Sequence, residues 1–312
     1  TAGNEHRLGA HEEPPAIISI FLGDELTQVL NAIKDDTPYH SKDEEILKLG
    51  VHCLSRFSKD TTDRNRISPF AFTGNKFEFR SVGSSDSIAC ANIMLNAAVA
   101  ESLRQYADRL EGAKDFNTSL HELIKEVITK HERIIFNGNG YSKEWENEAT
   151  KVRGLSNLKT IADTIPYLLN KKNMDMLILN KIFSKSELQS RCKILLSNYC
   201  KTVNIEGLTM VDMVRKNYLP TIEGYLYSLA KTVAMMKSVS NNVKCNYEIT
   251  TMERLSELTD YILESVIAVE KALNDLKSKE DIFKKSEAVR DDVIPKMDIL
   301  RKYGDEAEML TS

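Results

Sequence analysis

Arg64 to Arg80 read RNRISPFAFTGNKFEFR, and the last five of these residues govern the reading. Lys76-Phe77-Glu78-Phe79-Arg80 alternates charge with aromatic ring, so a strand of period two puts the three charges on one face and both rings on the other. Spaced about 7 Å apart along such a strand, a cation, a carboxylate and a cation are costly to bury without partners. The alternation alone also describes an ordinary strand with one solvated face. The upstream residues narrow it: Arg64, Arg66, Lys76 and Arg80 surround a single acid, with Pro69 to Gly74 suited to a turn. Four cations about one carboxylate suit a polyanion held beside a metal ion.

On the upstream side, Asn4 to Pro15 carries Gly, Pro and His without an apolar period and reads as a loop; Ala16 to Leu22 reads as a strand. After Gly23, Asp24 is placed to cap a short amphipathic helix bearing Leu26, Val29, Leu30 and Ile33. Glu45 to Phe57 fits either period in part. On the downstream side, Ile88, Leu95, Val99, Leu103, Tyr106 and Leu110 recur at helical spacing up to Gly112, and the helix is expected to pack on the sheet. Ser119 with Glu122 forms a capping box for a second helix, with Leu120, Leu123, Ile124, Val127, Ile128 and Ile135 as its stripe, ending at the turn Asn137-Gly138-Asn139-Gly140.

From Ser142 onward the pattern is helical, with starts expected near Ser184, Thr209 and Pro220. Leu255, Leu258, Ile262, Val266, Val269 and Leu273 predict a helix of several turns, followed by a more charged one toward Tyr303. The fold class is therefore α+β, with a mixed segment at 1–141 and an all-α segment of long helices at 142–312.

Across 312 residues, 42% hydrophobic and 28% charged side chains describe a globular chain with a sizeable core. A net charge of -4 and a pI near 6.0 give no basic excess of the kind that nucleic acid or an anionic membrane attracts. Five cysteines without a CxxC pair suggest neither a zinc site nor a disulfide framework, and a reducing cytoplasm is the expected home. No apolar run reaches the roughly 20 residues of a membrane helix. His6 and His11 in a loop make a poor metal signature, no serine stands in a GxSxG context, and GNKFEFR lacks the glycine spacing of a dinucleotide fingerprint.

The stretch at 64–80 resembles the type III glutamine synthetases, whose catalytic domain has the same string with Thr in place of Ile67. The resemblance continues through Asn4–Pro15 (NEHRLGAHEEPP), SIACANIMLNAAVAESL, IIFNGNGYSKEW and SRCKILLSNYCKTVNIE, and so covers almost the whole chain. It implies the carboxyl-terminal portion of a glutamine synthetase catalytic domain, of antiparallel strands with packed helices, at 1–141, and a helical C-terminal domain at 142–312. It further implies ATP-dependent joining of ammonia to L-glutamate through γ-glutamyl phosphate, with Mg²⁺ or Mn²⁺, in a cytoplasmic homo-oligomeric ring, a dodecamer by resemblance. A hard cation prefers carboxylate oxygen, and Glu78 matches the family's metal-binding glutamate.

Residue by residue, Arg66 resembles the arginine that stabilises the transferred phosphoryl group, and Arg80 and Arg7 resemble two that fix the substrate glutamate. The planar guanidinium fork meets phosphate or carboxylate in two hydrogen bonds. Glu12 falls at the acidic position of a mobile flap, where a carboxylate binds and deprotonates ammonium. Lys76 stands where other classes have arginine and is carried over as a nucleotide contact. As a part of such an enzyme the chain is expected to be inactive alone. Two other readings stay open: a non-catalytic helical assembly or regulatory module, and a γ-glutamyl amine ligase of the same chemistry.

Overall fold

The computed structural model describes residues 17–39, 46–47, 57–58, 68–80 and 87–311, the two short middle pieces by backbone alone. Contacts divide the chain into two compact units, Thr1–Lys185 and Ser186–Ser312.

In the first unit β1 (Ile20–Phe21) leads through Gly23, at φ 79°, into α1 (Asp24–Asp35). Gly23 rather than Asp24 is the N-cap, because the reversal needs a positive φ; Asp24 and Glu25 then face the positive end of the helix dipole. β2 (Ile46–Leu47) and β3 (Phe57–Ser58) form an antiparallel pair. β4 (Phe70–Phe72) and β5 (Phe77–Phe79) form a hairpin, and β1 lies parallel to β4 on its other side. The antiparallel pairing expected of the strands is thus joined by one parallel neighbour. Pro69–Gly74 is not the turn: Phe70 to Phe72 are strand, and the reversal is the two-residue step Gly74-Asn75, closed by Thr73 N–H donating to the Lys76 carbonyl at 2.8 Å. Gly74, at φ 89°, supplies the positive φ such a hairpin requires.

α2 (Ala89–Leu110) and α3 (Phe116–His131) follow, and α2 packs on α3 and α6. Among the described residues the expected docking of α2's apolar stripe on the sheet is not seen: only Ala97 of the helix is buried, and Ile88, Val99 and Leu103 are 76%, 55% and 60% exposed. α2 meets its helical neighbours through another face. α3 is capped by Asp115, whose carboxylate accepts from the N–H groups of Asn117 and Thr118; the Ser119–Glu122 pair lies inside the helix, since the aspartate cap starts it four residues earlier. Asp36, at the C-terminus of α1, takes Lys125 and His121 of α3 as partners. Ile135 has left the helix and makes a parallel bridge to Ile20. The short helices α4 (Lys143–Asn147), α5 (Ile161–Thr164) and α6 (Lys171–Leu179) complete the unit. Ser142 caps α4 by accepting from Trp145 N–H.

The second unit consists of three long helical runs. α7 (Lys185–Met213) passes through a widened turn, Val214–Tyr218, straight into α8 (Leu219–Val239). No helix starts at Thr209, which lies inside α7, while α8 does begin with Pro220 in its first turn, though without a break in the run because the run absorbs its proline. Pro220 has no N–H for the carbonyl four residues back, and its ring would strike that carbonyl; the preceding turn opens to an i to i+5 bond, Leu219 N–H to Val214 O. The same solution recurs where α10 (Ile282–Ala288) passes through Val289–Val293 into α11 (Ile294–Thr311), with Pro295 at the same distance beyond the widened turn.

Between these runs α9 (Asn246–Asp275) packs along both α8 and α11. Its stripe Leu255, Leu258, Ile262, Val266, Val269 and Leu273 is at most 2% exposed, as the periodicity predicts. Burying each such side chain is worth roughly 1.5–3 kcal/mol, which makes this stripe the core of the unit. Arg215 forks onto Glu270 at 3.1 and 2.7 Å, Arg254 onto Glu306 at 2.8 and 2.5 Å, and Tyr261 stacks on Tyr303. These polar contacts fix the register of the runs. Gly207 lets α7 approach Leu273, whose two δ carbons would lie 3.1 Å from any added Cβ.

Candidate functional site

The alternation Lys76-Phe77-Glu78-Phe79-Arg80 is realised on β5. Across the hairpin Phe79 faces Phe70, Phe77 faces Phe72, and Glu78 faces Ala71. Residues directly opposite in an antiparallel pair share a face, so the four phenylalanines stand together, with ring centroids 5.2–5.9 Å apart. Phe77 is nonetheless 49% exposed, so this aromatic face is only half a core. On the opposite face the row Phe21, Ala71, Glu78 runs across three strands. Phe21 and Ala71 are 4% and 0% exposed, and Glu78 ends the row where the sheet meets more open surroundings.

Glu78 draws in both of its sequence neighbours in charge. The Arg80 guanidinium donates to one carboxylate oxygen at 2.7 Å, and the Lys76 ammonium lies 3.6 Å from the other. Arg80 foremost, helped by Lys76, holds the Glu78 carboxyl below its ordinary range against partial desolvation. Glu78 is therefore an ionised, cation-flanked carboxylate at neutral pH. Ala71 opposite contributes only a methyl, so nothing on β4 fills the space above the carboxylate.

The structure brings Lys76, Glu78 and Arg80 together. Arg7, Glu12, Arg66 and Arg64 lie outside the described residues, as do His6, His11, His40 and His52. Hard divalent cations take about six oxygen ligands, and among the described residues no three His, Cys, Asp or Glu side chains cluster. Glu78 alone does not make a cation site.

A support the sequence did not advertise lies behind the sheet. Asn137, read there only as part of a turn, accepts from the N–H groups of Leu22 and Gly23 at 3.1 and 3.2 Å and donates to Thr27 Oγ1 at 2.9 Å. It clamps the exit of β1 to the start of α1. Phe136 donates its N–H to the Ile20 carbonyl and stacks its ring on Trp145, with centroids 3.7 Å apart. The Arg153 guanidinium lies 5.0 Å from the Trp145 ring centroid, ion-pairs with Glu148 at 2.6 Å and donates to the Ile135 carbonyl at 2.8 Å. Trp145 also packs on Ile17 and Ala149. Through β1 and β4 this block sets the position of β5. The signal for it was the string FNGNGYSKEW, whose Asn, Gly and Trp each have a separate structural task.

Comparison with known proteins places the chain. Residues 119–237 match the family model described as glutamine synthetase C-terminal domain. The chain is 39% identical over 318 residues to a glutamine synthetase of Butyrivibrio fibrisolvens, covering 99% of this chain and 44% of that protein. It is 36% identical over 316 residues to the type-3 glutamine synthetase of Dictyostelium discoideum, covering 98% and 42%. It is 35% identical over 323 residues to a glutamine synthetase of Bacteroides fragilis, covering 99% and 44%. The chain thus spans less than half the length of these curated relatives. No helix among the described residues is long and apolar enough to cross a membrane. Residues 119–237 thus carry the glutamine synthetase C-terminal domain, and nearly the whole chain is similar to part of known glutamine synthetases.

Proposed function

We propose that this chain is part of a glutamate–ammonia ligase, which joins ammonia to the γ-carboxylate of L-glutamate at the expense of ATP. A carboxylate oxygen is a poor leaving group, so it must be phosphorylated first; γ-glutamyl phosphate is then attacked by ammonia and phosphate departs. The observation that carries the reading is Glu78 held ionised between Lys76 and Arg80 on a strand whose sequence matches the family's. Two polyanions must be held at close quarters in this chemistry, and fixed cations offset their repulsion.

In this reading Arg80 and Arg7 orient the glutamate, Arg66 faces the transferred phosphoryl group, and Lys76 contacts the nucleotide. Glu12 receives the proton that ammonium loses. Glu78 would supply one oxygen ligand to Mg²⁺ or Mn²⁺, an ion that offsets phosphate charge when bound; its other ligands are not found among the described residues. The catalytic-domain portion is assigned to 1–141 and the helical domain to 142–312, with a cytoplasmic homo-oligomeric ring as the working form. Within the compact unit ending at Lys185, α4 to α6 would then be helical-domain elements resting on the catalytic portion.

The test joins this chain to the aligned upstream part of the Dictyostelium type-3 enzyme and measures glutamine formation from glutamate, ammonia and ATP. The chimera is expected to make glutamine, and the chain alone to make none. Glu78→Gln, which keeps shape and removes charge, is expected to lower turnover about 100-fold, the scale of one lost electrostatic contact to a reacting centre. A folded chimera without activity, unaffected metal affinity in Glu78→Gln, or preference for bulky amines over ammonia refutes the assignment.

A further inference from the structure

We propose, resting on the ligase reading, that Asn137 is a positioning residue for the chemistry assigned to β5. Its carboxamide locks the corner between β1 and α1, and so fixes where the sheet presents Lys76, Glu78 and Arg80 to reacting groups held by other segments. A carboxamide accepts at one end and donates at the other, and Asn137 uses both ends. Its Oδ1 accepts from Leu22 N–H at 3.1 Å and from Gly23 N–H at 3.2 Å, and its Nδ2 donates to Thr27 Oγ1 at 2.9 Å. Thr27 completes the lock, since its hydroxyl donates to the Gly23 carbonyl at 2.6 Å. The two amides lie beyond Ile20 and Phe21, the residues of β1 that pair with β4, and ahead of the first turn of α1. A backbone N–H at such a corner needs an acceptor from elsewhere. Asn137 brings one from 114 residues beyond Gly23.

The corner matters to β5 because the sheet is short. β1 contributes two residues, and β4 and β5 three each, so few ladder bonds hold the register. On its other side β1 is held by the Phe136 N–H bond to the Ile20 carbonyl at 2.9 Å and by the Ile20–Ile135 bridge. Leu22 follows Phe21 directly, and Phe21, Ala71 and Glu78 form one row across the three strands. At about 4.8 Å per strand, Asn137 thus acts at the end of a row whose other end, Glu78, is roughly 10 Å from Phe21.

The ion pairs of β5 do not depend on this lock. Arg80 and Lys76 meet Glu78 at 2.7 and 3.6 Å from two residues away along the strand, so all three move together when β5 moves. A ligand held by β5 alone keeps its contacts when the corner loosens. Its alignment with a second reactant held elsewhere is lost, and a misplacement of about 1 Å can lower a rate roughly 100-fold. Loss of the lock therefore lowers kcat and leaves KM nearly unchanged.

The test has two arms. In the full chain, amide hydrogen exchange followed by mass spectrometry reads residues 70–79. Asn137→Ala should speed exchange there at least about 10-fold. Asn137→Asp keeps the oxygen that accepts from Leu22 and Gly23, and should stay within about 3-fold of the parent. In the chimera with the upstream part of the Dictyostelium type-3 enzyme, Asn137→Ala should lower kcat for glutamine formation about 10- to 100-fold with KM values within about 2-fold. Asn137→Asp should restore most of that loss. Asp115→Ala removes the α3 cap and none of the corner's hydrogen bonds, and should leave kcat at the parent value. Thr27→Val takes away the far end of the lock; it should give the same split in smaller measure, and it decides the matter where Asn137→Ala does not fold. Unchanged exchange at 70–79 in Asn137→Ala, a rise in KM with kcat intact, or an equal loss of kcat in Asp115→Ala overturns the proposal. A parent chimera that makes no glutamine overturns the ligase reading and this assignment with it, whereas an active parent unaffected by Asn137→Ala overturns this assignment alone.

Discussion

Replacing Gly138 by alanine tests the block behind the sheet. A Cβ there would sit 2.6 Å from Phe136 Cζ and 3.0 and 3.2 Å from its two ε carbons. A phenyl ring usually yields to such a clash, but this one is backed by Trp145 at 3.7 Å between centroids, with Arg153 lying beyond. Its backbone is also tied to Ile20 through a 2.9 Å hydrogen bond. Overpacking of this kind costs about 1–3 kcal/mol, and loss of the aromatic stack adds about 0.5–1.5 kcal/mol, for a total of about 1.5–4.5 kcal/mol. With a urea dependence near 2 kcal/mol per molar, the midpoint should fall by about 1–2 M. The chain has one tryptophan, Trp145, so fluorescence follows the first unit while far-ultraviolet circular dichroism also follows the second. The fluorescence transition should move and the later part of the dichroism transition should not. A fluorescence midpoint within about 0.3 M of the parent, well inside one kcal/mol, refutes the view that the stack is rigid.

Three further outcomes follow from the geometry. Gly207→Val should destabilise the second unit by about 2–3 kcal/mol through overlap with Leu273, and Leu273→Ala in the same chain should recover part of that loss in a urea titration. Asp115→Ala removes the acceptor for two amides at the start of α3 and should cost about 1 kcal/mol, while Ser119→Ala should change the melting temperature little. Arg104, then Gln105, with Asn180 just past the end of α6 also donating, holds the Glu101 carboxyl at about 2, against 4.5 for an unperturbed glutamate. Its folded pKa is depressed, so its contribution is present above pH 4.5 and fades as pH falls toward 2; Glu101→Gln should flatten that part of the acid-unfolding curve.

The sequence made the second unit legible where side chains repeat against one neighbour. The α9 stripe is buried residue for residue, because one helix surrounded by others shows its period plainly. The β5 alternation was equally readable, since a strand's two faces are written directly in its residue order. Capping was less so: Ser119 with Glu122 has the form of a box, and only the position of Asp115 at the actual chain reversal decides between them. Pro220 looked like a start because the sequence does not show that the preceding turn can widen to carry it. The exposure of Val99 and Leu103 was hidden for another reason, as periodicity reports that a stripe exists and says nothing of what lies against it. Of the candidate site, the cluster of Lys76, Glu78 and Arg80 followed from spacing, whereas Asn137 did not, because its partners Leu22, Gly23 and Thr27 are remote in sequence.

The two widened turns ahead of Pro220 and Pro295 also bear on how this chain tolerates insertions and deletions. Each holds one residue more than a regular helix needs over the same rise, a spare stitch taken up locally. Removing one residue from Val214–Tyr218 together with Pro220→Ala should restore an unbroken helix and leave everything beyond it in phase. The same deletion elsewhere in α7 would swing all downstream side chains by about 100°, turning buried Ile222 and Leu229 toward water. Single-residue length differences in these two helical runs should therefore be confined to the one place in each where a widened turn precedes a proline.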